Sequence, residues 1–309
     1  MKIIYMGTPG FAVTPLQSIY DAGHEIAAVV TQPDKQRGRG KMLQFSEVKK
    51  WAMEHAVHVL QPEKIKDNIE FRDFIMREKP DLCIVVAYGK ILPPNLLEIP
   101  KYGFINLHAS LLPKHRGAAP IQKSILDGDI ETGVSIMRVE QELDSGAVFD
   151  AATTPILRKT AGELHDELSQ IGAELLLKTI SDFEKGKTEP IEQDSAYATY
   201  AKPIEKSDGK LDFSKTAAEL ERMVRAFDPW PGTFFDIGGD RYKVWSADVQ
   251  HSAVPCEPGR ILFSDKNGLG ISTADGIFVV REIQAEGKKR MSVADFLRGR
   301  TIEISSKVE

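Results

Sequence analysis

Two polar side chains with catalytic potential stand two residues apart in the segment 104–122. Apolar residues at 105 and 107 alternate with Asn106 and His108, which predicts a strand with both polar side chains on one face, about 6–7 Å apart. An amide can donate a hydrogen bond to a developing oxyanion, and an imidazole can donate or move a proton near neutral pH. The alternative is that both side chains only satisfy backbone groups at the strand end, and spacing alone does not exclude it.

A carboxylate that could complete a catalytic cluster lies further along the chain, at Asp144. It follows an apolar, strand-like run at residues 134–139 and directly precedes a Ser-Gly pair, which is a turn signal. With an amide and an imidazole near one strand end and a carboxylate on a later turn, Asp144 could form one cluster with Asn106 and His108.

Several motifs together resemble the folate-dependent formyltransferases, and they extend over nearly the whole chain. They are Asn106-Leu-His108, Ser110-Leu-Leu-Pro113, Arg116-Gly-Ala-Ala-Pro-Ile-Gln122, Leu143-Asp-Ser-Gly146, Gly7-Thr-Pro-Gly-Phe-Ala12, Thr31-Gln-Pro-Asp34, Gly38-Arg-Gly-Lys41, Val86-Ala-Tyr-Gly-Lys-Ile-Leu-Pro93 and Phe227-Asp-Pro-Trp-Pro-Gly232. One departure is Ala147, which stands where this family often has an acidic residue.

The resemblance implies roles for the candidate site residues. Asn106 and His108 are expected to stabilise the developing oxyanion, while Asp144 orients or charges His108 and takes part in proton movement. Two segments are expected to form the pocket for a reduced folate, and their residues are Tyr88, Gly89, Ile91, Ser110, Leu111, Leu112 and Pro113.

The loop at residues 32–43 is strongly basic, with Asp34 as its only acidic residue. Its basic residues are Lys35, Arg37, Arg39 and Lys41. Such a charge run is typical of a solvated loop, and it also suits a mobile finger that holds phosphates. The resemblance implies the second interpretation, because the corresponding loop of the family contacts the acceptor arm of tRNA, with Arg37, Arg39 and Lys41 as the binding residues.

The order of strand-like and helix-like segments predicts an α/β fold with two domains. Strand and helix patterns alternate up to about residue 155, and the continuous apolar run at 81–87 fits a central parallel strand. Residues 160–185 predict a long amphipathic helix whose Thr160-x-x-Glu163 start has the form of a capping box. After residue 233, short strand candidates separated by Gly, Asn and Asp turns predict a small barrel, with an OB-like barrel as the best match.

We therefore expect a Rossmann-like catalytic domain at 1–188, a linker at 189–206 and a carboxy-terminal barrel at 207–309. The resemblance implies that the barrel binds tRNA, and six basic residues make its end locally basic: Arg281, Lys288, Lys289, Arg290, Arg298 and Arg300.

Composition limits the class of protein. The net charge of −5 argues against a general nucleic-acid coat protein, although it permits binding through a local basic patch. The two cysteines, Cys83 and Cys256, are far apart and do not indicate a disulfide framework. His55 and His58 lack further ligands that would complete a metal site, so no metal is expected. The absence of a long apolar run fits a cytoplasmic enzyme without a membrane span, which we expect to be a monomer.

The resemblance implies formyl transfer from 10-formyltetrahydrofolate to the amino group of initiator methionyl-tRNA, in support of translation initiation. Two enzyme alternatives are transfer to a small amine such as glycinamide ribonucleotide, and hydrolysis of formyltetrahydrofolate. The carboxy-terminal hundred residues favour tRNA, because a small-substrate enzyme does not need them. A nucleic-acid binding module with an inactive folate fold is a further alternative, and the complete Asn106, His108 and Asp144 set argues against it.

Overall fold

The structure is a computed structural model that describes residues 1–37, 42–251, 257–304 and 306–308. The helices are α1 Val13–Asp21, α2 Glu47–Glu54, α3 Ile69–Glu78, α4 Pro94–Leu97, α5 Pro120–Asp127, α6 Ala161–Glu184, α7 Ala217–Ala226 and α8 Val293–Phe296, with 3-10 turns at Gly10–Ala12, Ser195–Tyr197 and Lys206–Gly209. The strands are β1 Lys2–Gly7, β2 Glu25–Val30, β3 Lys35–Arg37, β4 Met42–Gln44, β5 Val59–Leu60, β6 Leu82–Val86, β7 Phe104–His108, β8 Arg116–Gly117, β9 Glu131–Arg138, β10 Val148–Pro155, β11 Tyr200–Ala201, β12 Thr233–Ile237, β13 Asp240–His251, β14 Ile261–Asp265, β15 Gly268–Ser272, β16 Gly276–Ala285 and β17 Met291–Ser292.

The chain divides into two compact units. Unit 1 comprises Met1–Pro120, Thr132–Pro155 and His165–Ala201, and unit 2 comprises Ile121–Glu131, Ile156–Leu164 and Lys202–Glu309. Unit 2 therefore takes two short segments from before residue 165 in addition to the carboxy-terminal region.

Unit 1 is built on a seven-stranded sheet with the order β10-β9-β7-β6-β1-β2-β5. The pairs from β7 through β6, β1 and β2 to β5 are parallel, and β9 joins β7 in the antiparallel sense. The expected parallel-rich α/β sheet is confirmed. Most residues of its central strands are buried, as continuous apolar runs require when both faces are covered.

Local capping residues determine where several helices begin. The Ser46 hydroxyl accepts a hydrogen bond from the Lys49 N–H at 3.1 Å, which makes Ser46 the N-cap of α2. At α6, the Thr160 hydroxyl accepts from the Glu163 N–H while the Glu163 carboxylate accepts from the Thr160 N–H. This reciprocal pair is the predicted capping box.

The basic loop differs from its prediction. β3 and β4 pair as short antiparallel strands over Lys35–Arg37 and Met42–Gln44, although an irregular loop was expected at residues 32–43. The backbone of Arg37 lies in β3, whereas Arg39 and Lys41 lie outside the described residues.

The expected linker contains ordered structure that belongs to unit 1. β11 pairs with β8 in parallel, with Tyr200 opposite Arg116. Ile191 forms an antiparallel bridge with Val148. We call residues 191–201 the strap, because they are fastened to unit 1 at both ends.

Unit 2 is built on an antiparallel sheet with the path β12-β13-β16-β15-β14, and β17 pairs with β16. Its core residues include Phe235, Val244, Phe278 and Ile283, all almost fully buried. The antiparallel-sheet domain that the short strands and turn residues predicted is confirmed.

Candidate active site

Strand β7 carries the first two predicted site residues on one face. The Leu107 side chain points to the opposite face and packs against α6. It lies so close that a Cβ atom added at Gly172 of α6 would be 2.8 Å from the Leu107 Cδ2. Because side chains alternate along a strand, Asn106 and His108 face away from α6. The predicted strand and the shared face of its two polar residues are therefore present.

The imidazole of His108 is buried between a carbonyl and a carboxylate. Its Nε2 donates to the His115 carbonyl oxygen at 3.0 Å, and its Nδ1 lies 3.6 Å from the Asp144 Oδ2. A carbonyl can only accept a hydrogen bond, so the proton resides on Nε2 and the Nδ1 edge faces the carboxylate. The structure thus brings His108 and Asp144 together, although at a separation longer than a direct hydrogen bond.

The turn that carries Asp144 is tightly constrained. Asp144 has a φ of +49°, and its Oδ2 accepts a hydrogen bond from the Gly117 N–H at 2.8 Å. At Gly146, an added Cβ would approach the Arg138 carbonyl oxygen to 2.0 Å, so only glycine fits. Ala147 is fully buried, so the small residue at this position leaves the turn undisturbed.

Asn106 is the one predicted catalytic side chain that has no hydrogen-bond partner among the described residues. It is half-buried, and its amide makes no hydrogen bond to any residue in the described ranges. A partly buried amide is normally hydrogen-bonded, and one without a protein partner can bind a ligand instead. The Asn106 side chain is therefore available to a ligand group.

The segment Ser110–Pro113 is held as a tight turn over β9. The Ser110 hydroxyl donates to the Lys114 carbonyl at 2.6 Å, while its own carbonyl accepts from the buried Ser135 hydroxyl at 2.8 Å. The same Ser135 hydroxyl accepts from the Leu112 N–H at 3.1 Å. Ser110 is completely buried, and residues 111–113 are half-buried. Ser135 was not singled out from the sequence.

In the second expected pocket segment, Tyr88 and Ile91 lie in different environments. The Tyr88 ring packs in the core at 1% exposure, where its hydroxyl has no partner in the described residues and burial raises its pKa well above the ordinary value. Ile91 is 85% exposed, and Gly89 has a φ of +77°. A ligand at this segment would therefore meet the backbone of Gly89 and the side chain of Ile91.

A polar network anchors the base of the β3–β4 strand pair. Lys49 Nζ donates to the Asp34 carboxylate at 2.5 Å and to the Gln61 side-chain oxygen at 2.7 Å. The hydrogen bond from Lys49 lowers the pKa of Asp34. Gln32 donates to the Tyr88 carbonyl at 2.9 Å, so hydrogen bonds connect the base of this strand pair to the Tyr88–Ile91 segment.

The strap contributes residues that sequence reasoning missed. Gln193 and Thr199 hydrogen-bond to Arg116, His115 and the Asp144 turn. Arg116 belongs to one of the motifs that resemble the formyltransferases, and no role was predicted for its side chain. For the two strap residues, the sequence signal was that of an ordinary linker.

Five of the six basic residues near the end of unit 2 divide into two groups, and the sixth, Arg300, lies over the Phe296 ring at 5.9 Å. Arg281, Arg290 and Arg298 pair with Asp248, Glu282 and Asp295, respectively. Lys288 and Lys289 form no ion pair with any described residue. Within the described ranges, no group of three or more potential metal ligands occurs, and no helix has the length and apolarity to cross a membrane.

A parallel-rich α/β sheet with an amide, an imidazole and a carboxylate near one strand end carries chemical groups that suit a group-transfer enzyme. The profile described as formyl transferase matches residues 1–180, and that described as formyl transferase, C-terminal domain, matches residues 203–301. The chain belongs to the formyl transferase family.

Individual relatives show where this chain is similar to known proteins. It is 46% identical over 309 residues to methionyl-tRNA formyltransferase from Lachnospira eligens, with 98% of each chain covered. Among solved structures, a sugar 3N-formyl transferase determined in the presence of dTDP and 5-N-formyl-THF matches with a TM-score of 0.69 and 20% identity, covering 94% of this chain and 99% of that one. Glycinamide ribonucleotide transformylase 1 from Symbiobacterium toebii matches with a TM-score of 0.52 and 17% identity, covering 62% of this chain and 94% of that one.

Proposed function

We propose that this protein transfers the formyl group of 10-formyltetrahydrofolate to the free amino group of initiator methionyl-tRNA, giving N-formylmethionyl-tRNA for translation initiation. The observation that carries the proposal is similarity at 46% identity, over both units, to a protein named methionyl-tRNA formyltransferase. The cluster of Asn106, His108 and Asp144 supplies the chemical groups that this reaction requires.

The reaction is attack of a neutral amine on the formyl carbon. The new C–N bond forms as the carbonyl oxygen takes negative charge, and then the bond to N10 of the folate breaks. The amine must lose a proton, and the departing N10 must gain one. The enzyme therefore needs a hydrogen-bond donor for the oxyanion and a group that can accept and return a proton.

We assign the oxyanion hydrogen bond to Asn106 and to His108, whose Nε2–H would exchange the His115 carbonyl for the oxyanion. We assign Asp144 to orientation of His108 and proton movement. The Asn106 amide is suited to this role because it has no internal partner in the described residues. The Asp144 carboxylate, 3.6 Å from the His108 Nδ1, would stabilise the positive charge that the imidazole carries after it takes up a proton.

We assign the folate to the surface formed by Gly89, Ile91 and residues 110–113. The positive φ of Gly89 and the exposed Ile91 fit a flat ring that approaches the backbone closely and packs against an apolar side chain. The structural neighbour crystallised in the presence of 5-N-formyl-THF has the same fold.

We assign tRNA binding to local basic surfaces, because the net charge of −5 cannot attract a polyanion as a whole. In unit 1 we assign this surface to Arg37, Arg39 and Lys41 of the basic segment 32–43. In unit 2 it includes Lys288 and Lys289, whose charges are not neutralised by described carboxylates. The domain limits proposed from sequence, 1–188 and 207–309 with a linker at 189–206, stay part of this proposal, as do a monomeric state and a cytoplasmic location.

An assay with formyltetrahydrofolate and three separate acceptors tests the proposal. The acceptors are charged initiator tRNA, glycinamide ribonucleotide and water. We expect efficient transfer to charged tRNA only. Transfer to glycinamide ribonucleotide, or release of formate without an acceptor, would instead favour the small-amine transferase or the hydrolase.

A further inference from the structure

A buried arginine beside the candidate site has no carboxylate partner among the described residues. Arg116 is 1% exposed, and its Nε and Nη2 donate to the Gln193 side-chain oxygen at 3.1 and 2.8 Å. A buried charge is costly unless polar groups compensate it. The amide oxygen of Gln193 is thus a specific partner for the guanidinium.

The other end of the same amide holds the turn that carries Asp144. The Gln193 Nε2 donates to the Asp144 carbonyl at 2.9 Å and to the Gly146 carbonyl at 2.7 Å. Both N–H groups of the amide are used, and its oxygen accepts two further hydrogen bonds. Gln193 therefore links the buried guanidinium to both ends of the Asp144–Gly146 turn.

The position of Gln193 is fixed by the strap on either side of it. Ile191 and Val148 exchange two backbone hydrogen bonds at 2.8 and 2.9 Å. The Thr199 carbonyl accepts from the Arg116 N–H at 2.8 Å, and the Thr199 hydroxyl accepts from the His115 N–H at 2.9 Å. A side chain anchored in this way can restrain a neighbouring turn.

Asp144 needs such restraint because its backbone is in an unfavourable region. A φ of +49° costs free energy for a residue with a side chain and persists only where surrounding contacts enforce it. Hydrogen bonds from Gln193 to the two carbonyls and from the Gly117 N–H to the carboxylate supply that enforcement.

We propose that Gln193 is a positioning residue for formyl transfer, which acts by holding the Asp144 carboxylate opposite His108. The inference rests on the proposed function of the Asn106, His108 and Asp144 cluster. Gln193 itself does not touch the reacting atoms in this account, so its influence should reach the chemistry only through Asp144.

Two substitutions distinguish the role of Gln193 in positioning Asp144 from its role as the partner of the Arg116 charge. Gln193→Met keeps the side-chain length and removes every hydrogen bond of the amide, so we expect kcat to fall on the order of 10–100-fold with both KM values unchanged. Gln193→Glu keeps an oxygen for Arg116 but turns the second oxygen toward two carbonyls. We expect the new ion pair with Arg116 to keep this variant folded, and we expect it to lose kcat as well.

A double variant tests whether the effect passes through Asp144. In an Asp144→Asn background, the Gln193 substitution should change kcat by less than about threefold, because the group that it positions has already been altered. Gln17→Met is the matched control, since among the described residues that amide in unit 1 bonds only Asp21 and Trp51, and it should leave kcat unchanged.

Full activity of Gln193→Glu would overturn the inference, and so would losses that multiply in the double variant. If Gln193→Met does not fold, the Glu variant alone and combined with Asp144→Asn decides the question. An inactive wild-type enzyme would instead refute the proposed function, so the two failures are distinguishable.

Discussion

The polar groups of the candidate active site and those of the basic end of unit 2 are arranged in opposite ways. In the site, His108 and Arg116 are buried. His108 lies between a carbonyl and the Asp144 carboxylate, and Arg116 binds an amide oxygen. In unit 2, Arg281 and Arg298 are exposed and pair with the exposed carboxylates of Asp248 and Asp295.

This difference indicates what each set of groups can do. Buried groups in a low-dielectric environment interact strongly and hold fixed geometry, which suits chemistry at defined atoms. Exposed ion pairs contribute little to stability, and a cation that is already paired offers less to a phosphate. The number of basic residues in a sequence therefore overstates the surface that can bind tRNA.

The largest effect should come from the free amide of the site. Asn106→Ala should lower kcat on the order of 10²–10³-fold, because it removes a hydrogen bond that strengthens in the transition state. Folate affinity, measured by fluorescence titration, should change little. Near-normal kcat would show that Asn106 is a structural residue, and the proposed difference between the site and unit 2 would then be wrong.

A smaller loss of kcat is expected when the charge of the Asp144 carboxylate is removed. Asp144→Asn retains the turn and the shape of the side chain but removes the charge that faces His108, so we expect kcat to fall on the order of 10–10²-fold. Thermal unfolding should change less than activity does. If the variant were destabilised and its kcat intact, Asp144 would serve only the turn.

In unit 2, the unpaired lysines should matter more than a paired arginine. Combined Lys288→Ala and Lys289→Ala substitution should raise the KM for charged tRNA and reduce the slope of log affinity against log salt by about 1–2. Arg281→Ala is the comparison variant and should have the smaller effect on that slope. Equal effects would show that ion pairing does not mask a basic residue here.

The smallest effect should be confined to stability. The Thr216 hydroxyl accepts from the Glu219 N–H at 3.2 Å, and the Glu219 carboxylate accepts from the Thr216 N–H at 2.8 Å. Removing this cap by Thr216→Ala should lower the free energy of unfolding by about 1 kcal/mol. Denaturant titration measures this free energy. A lower kcat with unchanged stability would contradict a purely structural role for Thr216.

The sequence predicted local features of the site because those features have local causes. Alternation along β7 placed Asn106 and His108 on one face, and the turn signal after Asp144 marked a sharp bend. Capping boxes at Thr160 and Thr216 are equally local, since each involves residues three positions apart.

Long-range contacts explain what the sequence did not reveal. Gln193 meets Asp144 across 49 positions and Thr199 meets His115 across 84, so no local pattern marks either contact. The mixed polar composition of the strap is that of a linker, and only its pairing with β8 distinguishes it. Likewise, Arg281 pairs with Asp248 across 33 positions. Counting the basic residues in the sequence therefore does not reveal that the charge of Arg281 is neutralised.

The separation of chemistry from tRNA binding can be tested by measuring kcat/KM for charged initiator tRNA against salt concentration, at saturating formyltetrahydrofolate. We predict that Asn106→Ala lowers the whole line without changing its slope, while the Lys288 and Lys289 double substitution flattens the line and leaves kcat intact. A changed slope in Asn106→Ala, or a lowered kcat with an unchanged slope in the lysine variant, would contradict the account.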